Sequence, residues 1–371
     1  MKKPVIRWAM ALISLVCAAA PALAQIRIGQ TAGFTGQVAA GVKETTDGAK
    51  LYLDAINKSG GINGQTIELI SLDDKFDPAL AASNAKKLID DGVLALFLTR
   101  GTPHTQAILP LLSAARIPLI APSTGSMVLH QPVQPWVFNV RSSYQREAER
   151  AVRHLSLIGT TRIGLIHADD AFGADGAAGA MKGFEAVGRQ PVAQDTFDRS
   201  KPELAPLVAK LIKADAQAVL IIGSGSVVAE AIAKLRSAGS RAQIVTLSNN
   251  ASNGFIKSLG DNARGTIVTQ VFPYERSLSN PMVKEATAML AATGKGELSP
   301  AMLEGFAGAK VLVEGLRRAG PSLSREKLKT ALETFRRVDI GGLEVTFTPT
   351  DHSGVDYADL SIVGEDGRFK R

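Results

Sequence analysis

Short runs rich in Ile, Val and Leu recur along the chain, and most lead into an amphipathic stretch of helical length. The first series is IRIGQTA (26–32), TIELISL (66–72), VLALFLT (93–99) and IPLIAPS (117–123). The second is RIGLIHA (162–168), PVAQDTF (191–197), AVLIIGS (218–224), QIVTLS (243–248) and TIVTQVF (266–272). Helical periodicity falls between them, at 78–90, 104–115, 144–158, 172–187, 204–214 and 227–238. Strands that lack polar alternation and feed helices predict parallel sheets covered on both faces. Two such series predict an α/β fold of two doubly wound parallel-sheet lobes.

The seam is placed near VFNVRSSYQ (137–145), where an apolar run meets a polar turn and a new helix. Past 272 the pattern turns helical (281–293, 300–319, 324–334). Short strands then close the chain: LEVTFT (343–348) and DLSIVGEDG (359–367). A return to the first lobe is expected, with 25–142 plus 272–352 forming lobe 1 and 143–271 plus 353–371 forming lobe 2. Several crossings between lobes would act as a hinge.

The first 24 residues stand apart. Lys2, Lys3 and Arg7 precede an apolar stretch that ends at Ala22-Leu23-Ala24. This is the pattern of a cleaved secretory signal, with cleavage expected before Gln25 and delivery to the periplasm. The apolar core is too short and broken for a spanning helix. Cys17 is the only cysteine and lies inside this leader. Val16 stands before it where a lipoprotein anchor wants a small residue. The mature chain therefore has no thiol, which excludes cysteine catalysis, thiolate metal sites and disulfides.

The net charge of +7 is spread along the chain, and aromatics make up only 5% of residues. Dispersed charge without a basic run argues against a nucleic-acid partner. No Gly-x-Ser-x-Gly elbow, His-Glu-x-x-His or Gly-Lys-Ser/Thr loop occurs, and the histidines (104, 130, 154, 167, 352) have no metal-ligand spacing. GSGSVV (223–228) matches part of a dinucleotide fingerprint, but Val228 stands where the third glycine belongs. No cofactor or metal is implied.

Ligands of open parallel sheets bind beyond the carboxyl ends of the strands. The loop TRGTPHT (99–105) reads as a helix start, with Thr102 as N-cap and Pro103 in the first turn. Arg100, Thr102 and Thr105 would add donors for an anion. The loop APSTGSM (121–127) offers Ser123, Thr124 and Ser126 around Gly125, whose missing side chain would let a ligand reach the backbone. Together the two loops fit a small carboxylate, although a plain helix cap and a plain polar turn explain each one alone. The second lobe contributes Phe172, Ser224, Ser248 and Asn249. Asp169 or Asp170 could meet an ammonium group, and His104 is expected to be exposed.

The mature chain resembles, along nearly its whole length, the periplasmic solute-binding proteins of the leucine/isoleucine/valine-binding family. The resemblance is carried by GGINGQTIELISLDDKFDPALAASNAKKLIDDG (60–92), IPLIAPST (117–124), VFNVRSSYQREAERAV (137–152), DDAFGADGAAGAMKGFEA (169–186) and IGGLEVTFTPTDHSG (340–354). It implies two periplasmic-binding type I lobes joined by three strands. It also implies a small-molecule ligand in the cleft, no enzymatic activity, and delivery by a monomer to an inner-membrane ABC permease and ATPase. The family's carboxylate-binding positions fall on Thr102, Ser123 and Gly125. A tyrosine position falls on Phe172, another aromatic position on Ser224 or Gly225, and the acid that meets the ammonium group falls on Ser248. The residues alone leave open a sensing subunit for a membrane receptor, or a periplasmic enzyme.

Overall fold

The computed structural model describes residues 25–294 and 296–371; the leader, its cleavage site and Cys17 lie outside them. Two sheets organise the chain. The first lobe's sheet is built from β1 (Ile26–Ala32), β2 (Ile67–Asp73), β3 (Ala95–Phe97), β4 (Leu119–Ile120) and β5 (Val137–Phe138), all parallel, in the order β2-β1-β3-β4-β5. It is flanked by α1 (Ala39–Lys58), α2 (Pro78–Asp90) and α3 (Thr102–Ala115).

The chain then crosses into the second lobe. There α4 (Tyr144–Leu157), β6 (Ile163–Ala168), α5 (Ala171–Ala186), β7 (Gln194–Phe197), α6 (Leu204–Lys213), β8 (Ala218–Ile222), α7 (Gly225–Ser237), β9 (Gln243–Thr246), α8 (Asn253–Leu259) and β10 (Ile267–Gln270) follow in order. It returns through α9 (Pro281–Ala292), α10 (Pro300–Ala319) and α11 (Arg325–Leu332), which pack on the first lobe. A small hairpin of β11 (Val338–Asp339) and β12 (Glu344–Val345) follows. The chain ends in β13 (Asp359–Val363) and β14 (Phe369–Lys370) on the second sheet, whose order is β14-β13-β10-β9-β8-β6-β7.

Both lobes repeat one winding: the second strand lies outside the first, and the third to fifth lie on its other side. The order reverses between β1 and β3, and again between β6 and β8, which are the places where such sheets open a crevice for ligands. The second sheet is not purely parallel. β13 runs antiparallel to β10, and β14 antiparallel to β13. The chain reaches β13 from the hinge and not through a covering helix, so no right-handed crossover forces it parallel.

Three crossings join the lobes, at 139–143, 271–280 and 349–358. The first and third are hydrogen-bonded to each other, Asn139 N–H to His352 O at 2.9 Å and Gly354 N–H to Asn139 O at 2.8 Å. The first lobe's apolar core runs from β1 and β3 through α10, where Phe97, Phe306 and Phe335 are fully buried. In the second lobe, β8 (AVLII) is buried along its whole length and carries helices on both faces.

Candidate ligand-binding site

The loops at the carboxyl ends of the strands face one another across the gap and touch. Gln37, just before α1, donates to Arg199 O at 3.0 Å and accepts from the Ser224 hydroxyl at 2.6 Å. Arg100 Nη2 donates to Asn249 O at 2.6 Å. The Glu44 carboxylate accepts from Asn253 N–H at 3.0 Å and Gly254 N–H at 2.7 Å, at the start of α8. Ala301 N–H on α10 reaches Ala251 O at 3.0 Å. The lobes are therefore held in a closed arrangement. Between them lies a cavity of about 140 Å³, lined by residues 36–41, Arg100, Gly225, Ser226, and the 249–258 region of lobe 2.

Residues from the first lobe's loops form a tight hydroxyl cluster. Thr102 and Thr124, both fully buried, share a hydrogen bond of 2.8 Å. Two hydroxyls that share one bond use only one of their two protons, so one donor stays free. Arg100 Nη1 donates to Ser123 Oγ at 2.8 Å. Thr99 and Thr105 also pair, at 3.1 Å, but Thr105 donates to Gly101 O at 2.9 Å, so no donor is left over there.

Thr102 is not the N-cap of α3. Gly101 holds that place with φ 94° and ψ 142°, and Thr102 is the first helical residue. A side chain at Gly101 would be strained at this φ and would meet His104 Nδ1 at 2.7 Å. His104 is buried, not exposed. It stacks on Phe76 with ring centroids 4.2 Å apart, and burial pushes its pKa down to about 4. Gly125 serves the chain itself: an added Cβ would lie 2.6 Å from Ser142 O and 2.9 Å from Tyr144 N, whose N–H donates to Gly125 O at 2.8 Å. The missing side chain admits the first crossing, where a ligand was expected.

In the second lobe, Phe172 sits in the first turn of α5 and meets Tyr144 edge-on at 4.8 Å. Asp170 caps α5 by accepting from Phe172 and Gly173 N–H, and pairs with Arg199 at 2.7 Å, so it is not free to meet an ammonium group. Asp169 is exposed. The Arg199 guanidinium lies over Phe172 at 5.1 Å and over Phe76 of the first lobe at 5.4 Å, bridging the gap. Burial lowers the pKa of Arg199, with Asp170 opposing. Ser248 is also engaged: its hydroxyl accepts from Arg141 Nη2 at 2.7 Å and its N–H donates to Glu147 at 2.9 Å.

Arg141 and Glu147 form a fully buried ion pair at the hinge that sequence reasoning missed. Thr269 Oγ1 also donates to Glu147, and Arg141 lies 4.6 Å over the Tyr144 ring. Glu304 on α10 comes within 3.7 Å of Arg141 Nη1. Burial works against the Arg141 charge, but Tyr144, Glu147 and Glu304 together raise its pKa. Of the residues expected to hold the ligand, Arg100 and Asn249 line the interlobe cavity. Ser224 adjoins Gly225 at its edge, and Ser123 reaches it through Arg100.

The model of the periplasmic binding protein family matches residues 25–368. The chain belongs to that family. A solved substrate-binding periplasmic protein from Ralstonia solanacearum is 32% identical, with a TM-score of 0.86 over 93% of this chain and 99% of its own. Among curated relatives, Leu/Ile/Val-binding protein BraC3 of Rhizobium johnstonii is 27% identical over 347 residues, 91% of this chain and 92% of the relative. Leu/Ile/Val-binding protein homolog 3 of Brucella melitensis is 25% identical over 339 residues, 90% of this chain and 89% of the relative. This periplasmic binding protein thus shares its two-lobed α/β fold with its relatives, and its family binds solutes and does not transform them.

Proposed function

We propose that the chain is the periplasmic substrate-binding component of a branched-chain amino acid type ABC transporter. It takes a small carboxylate-bearing ligand, an amino acid or an organic acid, between its lobes and closes on it about the three crossings. The single observation that carries this reading is the interlobe cavity with the buried Arg100 guanidinium in its wall. That cavity stands at the carboxyl ends of both sheets, where this winding places ligands. The names of the Rhizobium and Brucella relatives support a ligand with a carboxylate head. Gln37, Arg100 and Glu44 reach across the gap, so closure adds contacts that an open form lacks and the ligand biases that equilibrium. The closed shape is what an inner-membrane permease would read.

A thermal-shift screen of residues 25–371 against amino acids, aliphatic acids and aromatic acids tests this, because a ligand that binds the folded state raises the melting temperature. Ser123→Ala, which removes the acceptor that holds the Arg100 guanidinium in the cavity wall, should weaken binding of the hit about ten-fold, the equivalent of one hydrogen bond. Unchanged affinity rules out the Ser123–Arg100 pair as part of the site, and turnover of the hit rules out a binding protein.

A further inference from the structure

The charges around the gap are unequally matched. Arg100 is only 5% exposed, yet its hydrogen bonds go to two uncharged acceptors, Ser123 Oγ and Asn249 O. Among the described residues no carboxylate lies within ion-pair distance of it. Arg141, by contrast, has Glu147 and Glu304, and Arg199 has Asp170. A buried cation without a counter-ion is costly, and the cost disappears when an anion arrives.

The lining of the cavity carries no compensating charge either. Arg100 is its sole ionisable side chain; the remainder is glycine, alanine, Val38, Phe255 and neutral polar residues. The first turns of α1 and α7 open onto the same space and neither has a side-chain cap; Ala39 N–H is taken by Gly36 O, and the helix ends add to the positive potential that Arg100 sets up. The nearest acids are already committed. Glu44 accepts from two N–H groups of α8, Asp170 holds Arg199, and Glu147 holds Arg141, Ser248 N–H and Thr269. Glu304 keeps one buried oxygen without a hydrogen bond, but it faces Arg141 and is not part of the lining.

We infer that the cleft selects carboxylic acids that carry no ammonium group, with Arg100 as the counter-ion of the carboxylate. The inference rests on the reading that the ligand presents a carboxylate. An amino acid would satisfy Arg100 but bring an ammonium group into a closed space that offers it no acid.

Matched pairs that differ only in the amine test this: leucine against 4-methylpentanoate, and phenylalanine against 3-phenylpropanoate. Each is titrated calorimetrically into the mature protein. At least one acid should bind about 100-fold more tightly than its amino-acid partner, the order expected for an unpaired ammonium. Arg100→Gln should abolish the acid's thermal shift while leaving the ligand-free melting temperature unchanged or raised, since it removes an uncompensated buried charge. Arg100→Lys should retain part of the binding. If the amino acids bind as well as or better than the acids, the selectivity falls while the carboxylate reading stands. If neither member of any pair binds, the carboxylate reading falls and takes the selectivity with it. If an acid binds but Arg100→Gln leaves its affinity unchanged, the role of Arg100 is wrong.

Discussion

Gly254 offers a way to test the closed arrangement without knowing the ligand. It lies in the first turn of α8 on the second lobe, and a Cβ added there would sit 2.5 Å from the Cβ of Ala40 on the first lobe. Carbon atoms in contact rest about 3.5–4.0 Å apart. Alanine has no rotamer with which to give way, so the lobes must part locally by about 1 Å. The same shift pulls the Glu44 carboxylate from the Asn253 and Gly254 amides. Overpacking of this kind costs about 1–3 kcal/mol, which moves a closed-to-open equilibrium by about 5–150-fold. Within its own helix the change is favourable, since alanine exceeds glycine in helix propensity by about 1 kcal/mol. Gly254→Ala should therefore hold or raise the melting temperature while opening the cleft. Spin labels at Lys86→Cys and Lys213→Cys, exposed on opposite lobes, report the interlobe distance. In protein made as residues 25–371 the labels meet no competing thiol, because Cys17 is the single cysteine of the sequence. The variant should lose the short-distance population; superimposable distance distributions in wild type and variant would refute the argument.

Other perturbations probe the hinge. Gly125→Ala should lower the melting temperature by several degrees, because its Cβ would press on Ser142 O and Tyr144 N at the first crossing. Differential scanning calorimetry that finds no loss would refute this close approach. Glu147→Ala should destabilise the protein by about 3–5 kcal/mol by leaving Arg141 without its closest buried partner, read as a shift of the urea midpoint at unchanged slope. Glu275, on the second crossing, has its pKa raised by burial to about 7, from 4.5. The folded state thus holds this proton more tightly than the unfolded chain. Its contribution is fully present below about pH 4.5 and is lost as the pH rises through about 7. Glu275→Gln should then gain in stability over wild type at pH 8 and show no such gain at pH 4, by parallel thermal melts.

Much of the architecture was legible because parallel, doubly covered strands advertise themselves as apolar runs between helices. The run at 26–32 coincides with β1, and the helix read at 300–319 coincides with α10. The runs at 93–99 and 117–123 overshoot, since only Ala95–Phe97 and Leu119–Ile120 pair in the sheet. The flanking residues are buried all the same: Leu98 and Ala121 join the first lobe's apolar core, and beyond the named strands Ser123 N–H still donates to Thr99 O at 2.7 Å. Apolar patterning reports burial, and burial continues where the strand stops.

The site was less legible because its charges are partnered through space. Arg199 meets Asp170, 29 residues earlier, and Phe76 on the other lobe; no local spacing announces either contact. Glu147 is different. The buried face of α4 is Tyr144, Glu147, Ala148, Ala151, Val152 and Leu155, so helical periodicity alone places a carboxylate on the apolar stripe. An acid there must find a cation; Arg146 and Arg150, nearer in sequence, pair with Asp356 and Asp359, and Arg141, in the polar turn just before the helix, supplies it. The same periodicity puts His104 with Thr105, Ile108 and Leu112 on the inner face of α3, which would have placed it inside. Arg100 was singled out in the sequence because it follows a buried strand. What its position could not reveal is that, in contrast to Arg141 and Arg199, it has no acid within ion-pair distance among the described residues, and that difference is the ground for proposing it as the counter-ion of an incoming anion.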